Sequence, residues 1–188
     1  MKDLKGTKTL TNLMAAFAGE SQARNRYSYY SSIAKKEGFV EISKVFEETA
    51  NHEKEHAKRL FKFLKDSGVD VEITGSFPTV MSNTLDNLKS AAAGENHEWA
   101  EMYPEFSKIA ADEGLMEIST VFRNIAVAEK YHENRYNKLA SYLETESMFV
   151  DTNEVTWRCN NCGFTHTGKK APNKCPACDH PQAHFHRM

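Results

Sequence analysis

The chain has 188 residues, 27% of them charged and 40% hydrophobic, and a formal net charge of −2. That balance places it among soluble globular proteins. With basic residues mixed among acidic ones, it excludes electrostatic attraction to nucleic acid or an anionic membrane.

The leading residues, Met1 to Gly6, lack the apolar run of a secretion signal, and no segment reaches membrane-spanning length, so the expected location is cytoplasmic. Helical periodicity fills the first three-quarters of the chain. A first helix carries Leu10, Leu13, Phe17, Glu20 and Tyr27 and ends at Gly38, which suits a left-handed cap. A second carries Ile42, Phe46, Thr49, Glu53, His56, Leu60 and Phe63 in alternating steps of four and three, the spacing of a bundle seam. After a link from Ser67 to Ser82 containing Gly75 and Pro78, a third helix carries Leu88, Ala91, Glu95, Glu98, Met102 and Ile109 and ends at Gly114. The fourth shows Ile118, Phe122, Ile125, Glu129, His132, Tyr136, Leu139 and Leu143 at the same spacing as the second.

The helical part is an internal repeat. The stretch from Ile33 to Phe46 reappears from Ile109 to Phe122 at an offset of 76, which also carries Glu53 and His56 onto Glu129 and His132. Upstream, Ala18-Gly19-Glu20 matches Ala93-Gly94-Glu95 with a slip of one residue. Two antiparallel hairpins from a duplicated unit should pack as one four-helix bundle. A helix of about 27 residues is ~40 Å long, and an extended link of about 15 residues reaches ~50 Å. The link can therefore run the bundle's full length, giving the single long crossover of a ferritin-like arrangement. The expected division is a bundle over residues 1–146 and a small four-cysteine module over 147–188.

Glu20, Glu53, His56, Glu95, Glu98, Glu129 and His132 occupy seam positions where leucine is expected. Counted from Gly38 and Gly114, all seven lie 15 to 19 residues from a turn and so fall in one layer, within about one helical turn. An unpaired buried carboxylate costs several kcal/mol, and five together demand cations. Two divalent ions bring +4 against −5. Glu-x-x-His on two helices plus a glutamate from each of the others is the pattern of di-iron and di-manganese bundles, and mixed oxygen and imidazole donors suit iron or manganese. Glu98 has no counterpart in the first hairpin, where Ala23 stands, so one metal has a surplus carboxylate. Tyr27, seven residues after Glu20 on the same face, is placed to donate to a ligating carboxylate, and Tyr103 is a weaker candidate of the same kind.

All four cysteines lie in the last thirty residues, as Cys159-Asn-Asn-Cys162 and Cys175-Pro-Ala-Cys178 separated by twelve residues. Two such knuckles make a closed tetrahedral sulfur site rather than disulfides. Spacing does not choose the metal, because zinc ribbons use the same knuckles. Beside a redox bundle, iron is expected, since it passes electrons one at a time. His166, His180, His184 and His186 read as a polar tail.

The combination resembles the rubrerythrin family. The resemblance rests on Ala18 through Tyr27, both Glu-x-x-His motifs, Ala93-Gly94-Glu95 with Glu98, and Trp157-Arg158-Cys159 through His180-Pro181, and it covers nearly the entire chain. It implies a bundle with a non-haem di-iron site fused to a rubredoxin-like domain, hence three irons per chain, with zinc or manganese as substitutes in isolated protein. It also implies a homodimer in which one subunit's four-cysteine iron serves its partner's di-iron site. Glu53 and Glu129 would bridge the irons, Glu20 would bind one iron, and Glu95 with His132 the other. His56 and Glu98 would alternate at the first iron in the reduced and oxidised states. The implied activity is reduction of hydrogen peroxide to water, protecting anaerobic or microaerophilic cells. Electrons would come from an external reductase or rubredoxin that draws on NAD(P)H. A ferritin-type iron-oxidising protein and a non-enzymatic helical module with a structural zinc ribbon are the rival readings.

Overall fold

The computed structural model describes residues 3–188, so Met1 and Lys2 of the leading hexapeptide lie outside the described residues. Helix α1 spans Lys8–Lys36 and α2 spans Val40–Ser67. The third bundle element is built in pieces: α3 (Thr84–His97), a π-helical turn (Glu98–Met102) and α4 (Tyr103–Asp112). Helix α5 spans Met116–Glu144 and closes the bundle. No described helix is long and apolar enough to cross a membrane.

Each hairpin turns on a glycine in the left-handed region, Gly38 at φ 87° and Gly114 at φ 76°. At the first, the Phe39 amide donates to the Ala34 carbonyl (2.9 Å) and the Gly38 amide to that of Lys35 (3.3 Å). At the second, Leu115 and Gly114 donate to Ala110 (2.7 Å) and Ala111 (2.9 Å). Both are the double cap that satisfies a helix's last carbonyls. The glutamate before each glycine then reaches across to the other hairpin. Glu113 accepts from the Lys8 and Thr9 amides at 2.8 and 3.0 Å, and Glu37 accepts from the Thr84 amide at 2.9 Å. A carboxylate at a helix N-terminus satisfies orphan amides and complements the helix dipole, typically for about 0.3–1 kcal/mol. The duplicated turns thus pin each hairpin to the start of its twin.

The link between hairpins carries no regular structure from 68 to 82 and runs along α1. Gln22 Nε2 donates to the Pro78 carbonyl (2.7 Å), and the Tyr30 hydroxyl bonds the Val80 carbonyl. This is the single long crossover of a ferritin-like bundle.

The bundle core comes in two blocks. One gathers Tyr27, Tyr30, Ile42, Phe46, Leu88 and Tyr136; the other gathers Leu13, Leu60, Phe63, Tyr103, Ile118 and Phe122. The seam glutamates lie between them, buried at about 1% exposure or less for Glu20, Glu53, Glu95 and Glu129.

The one-residue slip in the repeat has a structural cause. The Tyr103 amide donates to the Glu98 carbonyl, five residues back. A π turn of this kind accommodates one extra residue without breaking the helix. Glu20 to Tyr27 is seven positions and Glu95 to Tyr103 is eight, so the two tyrosines are equivalents and the extra residue is absorbed in the turn that begins at Glu98. Pro104, which lacks an amide hydrogen, follows immediately where the α pattern is already interrupted.

The C-terminal module is a three-stranded antiparallel sheet of order β2-β1-β3, with β1 at Val150–Cys159, β2 at Thr165–Lys170 and β3 at Phe185–Arg187. Trp157, Cys159, Ala171, Cys175 and Phe185 form its small core, and the Trp157 indole N–H donates to the Gly168 carbonyl (2.8 Å). The module is fixed to the Gly38 end of the bundle. Phe149 stacks on Phe39, Arg187 lies 4.1 Å over the Tyr142 ring, and Lys44 Nζ donates to the Asn160 carbonyl at 3.1 Å.

Candidate metal centres

Helical spacing of three and four residues brings the seam side chains to one height and points them inward. Two groups of donors form, each with its ligand atoms within 4.8 Å of one another: Glu20, Glu53, His56 and Glu129, and Glu53, Glu95, Glu129 and His132. Glu53 and Glu129 are common to both. His56 Nδ1 lies 2.9 Å from Glu129 Oε1, 3.0 Å from Glu53 Oε2 and 3.6 Å from Glu20 Oε2. His132 Nδ1 repeats the pattern, 2.7 Å from Glu129 Oε2, 3.3 Å from Glu53 Oε1 and 3.7 Å from Glu95 Oε2.

One imidazole N–H cannot satisfy three carboxylates. Glu20 Oε2, Glu53 Oε1, Glu95 Oε2, both Glu129 oxygens and His132 Nδ1 are buried without a hydrogen-bond partner. Native interiors rarely leave such groups unpaired. Orphaned oxygens and an imidazole nitrogen converging on two points are the donor set that a pair of divalent cations fits. In the protein alone, protons take over part of that neutralisation. Burial raises the Glu20 carboxyl to about 7 and lifts Glu95 well above the usual range, with the Glu53 charge adding to the latter. Burial opposes a charged His132, yet the carboxylates of Glu129, Glu53 and Glu95 around it outweigh that and raise the imidazole to about 12.

Glu98 stands apart. It belongs to neither group and is half-buried on the π turn. Burial lifts its carboxyl well above the ordinary value, with Glu20 the strongest of the repelling charges.

Around the donors, the tyrosines cross between hairpins. The Tyr27 hydroxyl on α1 donates to Glu95 Oε1 at 2.6 Å, and that of Tyr103 on α4 donates to Glu20 Oε1. Each bond occupies one carboxylate oxygen and leaves the other aimed at the interior. Burial holds both phenols well above their ordinary pKa, so they remain donors. Tyr103 therefore stands level with Tyr27, which spacing from Glu95 alone concealed. His52 was missed by the seam pattern. Its Nδ1 lies 3.1 Å from His132 Nε2, with the rings stacked 5.3 Å apart. The available signal was its place four residues before His56, on the same helical face.

Tyr27→Phe and Tyr103→Phe should each weaken metal binding in the layer by roughly tenfold or more and lower stability by about 1–2 kcal/mol. Chelator competition and urea unfolding measure the two effects. Wild-type affinity in both variants would show that the phenols do not orient the carboxylates.

In the module, Cys159 Sγ lies 3.7 Å from Cys178 Sγ, and Cys162 Sγ lies 3.7 Å from Cys175 Sγ. All four thiols are free and lie within 4.8 Å of one another. A tetrahedral ion with metal–sulfur bonds of about 2.3 Å holds its sulfurs roughly 3.8 Å apart, whereas a disulfide needs about 2.05 Å. The site fits an ion. The His180 backbone amide beside Cys178 lowers that thiol to about 6, favouring the thiolate that a metal requires.

A long-crossover helical bundle enclosing a carboxylate–histidine layer, with a tetrathiolate module appended, defines the class of ferritin-like metalloproteins that carry their own one-electron site. The rubrerythrin family profile matches residues 11–140, and the profile described as the rubredoxin-like domain of rubrerythrin matches residues 157–186. The chain is 54% identical to a rubrerythrin of Porphyromonas gingivalis over 100% of its own length and 93% of the relative's. Among solved structures it is similar to a partially reduced nigerythrin, with a TM-score of 0.65, 29% identity, and coverage of 99% of this chain and 92% of that one. A Desulfovibrio desulfuricans bacterioferritin shares the bundle fold alone, with a TM-score of 0.67 at 21% identity over 74% of this chain and 82% of that one. The chain belongs to the rubrerythrin family. It is accordingly an oxidoreductase with a di-iron site in its bundle and a rubredoxin-like four-cysteine site that implies electron transfer.

Proposed function

We propose that this protein reduces hydrogen peroxide to water in the cytoplasm, at the carboxylate–histidine layer. Electrons arrive singly through the four-cysteine site from an external reductase or rubredoxin that draws on NAD(P)H. The observation that carries this reading is the pairing, in one chain, of a buried layer whose orphaned donor atoms demand two cations with a tetrathiolate site suited to one-electron traffic. The balance is one peroxide, two electrons and two protons to two waters. Iron held in the layer supplies the two electrons to the O–O bond when bound.

The chain's own residues hold that chemistry in place. Glu53 and Glu129, shared by both donor groups, are the proposed bridging ligands. Glu20 serves one metal and Glu95 with His132 the other, with His56 and Glu98 as alternatives beside Glu20. Tyr27 and Tyr103 fix the carboxylates they bond and keep their phenolic protons. Glu98, whose carboxyl burial raises above its ordinary value, is the proposed surplus carboxylate of the layer. The large apolar blocks above and below exclude water.

In this reading the chain divides into 1–146 and 147–188 and binds three irons, which zinc or manganese can replace during isolation. It works as a homodimer in which, as the family resemblance implies, a second copy's four-cysteine site is the proposed donor to the layer.

The test is anaerobic. Chemically reduced protein mixed with one equivalent of peroxide should oxidise much faster than with dioxygen, and metal analysis should return three irons per chain. Faster oxidation by dioxygen, or a four-cysteine site that takes up no iron on reconstitution with iron(II), overturns the reading.

A further inference from the structure

The repeat that builds the two hairpins is broken at one place beside the layer. The offset of 76 that carries His56 onto His132 carries His52 onto Ala128. Toward the carboxylates the two layer histidines are near copies, each turning Nδ1 to Glu53, Glu129 and one further glutamate. On their far sides they differ. His132 meets His52, with its Nε2 3.1 Å from His52 Nδ1. The ring planes are only 14° apart while the ring centres are 5.3 Å apart. The stack is therefore slipped by about a ring's width, and the two nitrogens meet nearly edge to edge, as a directed N–H···N bond requires.

His56 has no such partner. By the repeat, the residue that stands to His56 as His52 stands to His132 is Ala128, whose side chain has no polar atom. The Nε2 of His56 has no protein partner among the described residues, and the side chain is 18% exposed against 2% for His132.

An imidazole that binds a metal through one nitrogen carries its hydrogen on the other, and a partner for that hydrogen fixes the ring's tautomer and direction. His132 Nδ1 is the nitrogen turned to the carboxylates and left unpaired. Its Nε2 therefore carries the hydrogen and donates it to Nδ1 of a neutral His52. We propose that His52 is a positioning residue that locks His132 in its ligating direction, and that Ala128 leaves His56 without a lock. Of the two histidines, only His56 is then free to turn away and give its place to Glu98. The lock rests on the reading that both histidines are metal ligands, and it supplies the reason only one of them exchanges. Because His52 and His56 share a face of α2, one helix provides the mobile ligand of one metal and the clamp on the other metal's histidine.

The test uses the full chain loaded with iron(II) under argon, without peroxide. Proton NMR of the wild type should show a paramagnetically shifted, solvent-exchangeable ring N–H signal from each ligating histidine, that of His132 persisting longer after transfer to deuterium oxide. His52→Ala should abolish that persistence and weaken one of the layer's irons by roughly tenfold or more in chelator competition. His52→Gln, whose amide oxygen also accepts, should restore both, and His52→Leu, which keeps only the bulk, neither. Ala128→Gln, and Ala128→His as the mirror of the natural pair, should give the His56 signal the persistence it lacks and tighten the other iron by a comparable factor.

Wild-type persistence and affinity in His52→Ala overturn the proposal. So does recovery in His52→Leu, which would make the residue a filler of space. An unchanged His56 signal in both folded position-128 variants overturns the account of His56. Shifted signals that ignore position 52 sink the lock and leave the metal roles standing, whereas a wild type with no shifted ring N–H signal removes those roles and the lock together.

Discussion

Removing the metals from the bundle should lower its stability by more than any single seam substitution and should reverse the sign of its pH dependence. In the stripped protein four glutamates and two histidines share a space between two apolar blocks, with several oxygens left without partners. Protons are then the only neutralising ions. Glu20 titrates at about 7 in the fold against an ordinary 4.5, chiefly through burial. Its contribution is fully present below 4.5 and is lost as pH rises through 7, because over that window the folded state holds a proton the unfolded chain has released. His132, held at about 12 against 6.5, contributes fully below 6.5 and loses that contribution as pH climbs toward 12. Both act in the same direction, so the stripped protein weakens steadily from pH 5 to pH 9. With metal bound, protons compete for the same donor atoms, and occupancy improves as pH rises. Thermal unfolding of chelator-treated and iron(II)-loaded protein at pH 5.5, 7 and 8.5 should therefore diverge. For a chain of this size each 1 kcal/mol moves the midpoint by about 2–4 °C. Equal midpoints for stripped and loaded protein across that range would remove the argument that the layer needs cations.

The bundle and the layer were legible in the sequence because both obey a period. Glycines 15 to 19 residues from the donors set their height, and the repeat exposed the duplication. What the period could not express is what the structure adds. The one-residue slip between Glu20 and Glu95 is absorbed by the π turn beginning at Glu98, and a turn stabilised by a five-residue hydrogen bond has no hydrophobic signature of its own. That same slip hid the equivalence of Tyr27 and Tyr103, whose bonds to Glu95 and Glu20 are long-range contacts between hairpins. His52 escaped because it is not one of the seam positions, although it shares His56's side of α2, and its contact is with His132 across on α5. Nothing in the repeat gives Glu37 and Glu113 a role, and only the packing of one hairpin on the other makes them caps for Thr84 and for Lys8 and Thr9. Local spacing carried the donors, whereas tertiary packing decides what orients them.

Cys162→Ser should abolish donor-linked peroxide turnover while leaving the bundle folded and still oxidised by a single equivalent of peroxide. The module's core consists of little more than Trp157, Ala171, Phe185 and two buried cysteines, and a unit this small holds its shape only with a metal or other staple. Cys162 faces Cys175 at 3.7 Å, and replacing its thiolate with a hydroxyl removes one of four ligands from a site that soft donors define. The near-ultraviolet signal of Trp157 should fade while helical circular dichroism persists, since the bundle's core blocks take only Met148 and Phe149 from the module. Turnover supported by reduced rubredoxin should fall by about a hundredfold or more, close to 3 kcal/mol of effective barrier. Unfolding of the module and loss of its redox ion are separable causes, and zinc distinguishes them. Wild-type protein carrying zinc at the four cysteines and iron in the bundle keeps the module's shape, because zinc accepts the same tetrahedral thiolates but has no redox chemistry. It should restore the Trp157 signal and none of the donor-linked turnover. Normal turnover in that zinc form would mean electrons reach the layer by another route, and the tetrathiolate site would then be a structural staple.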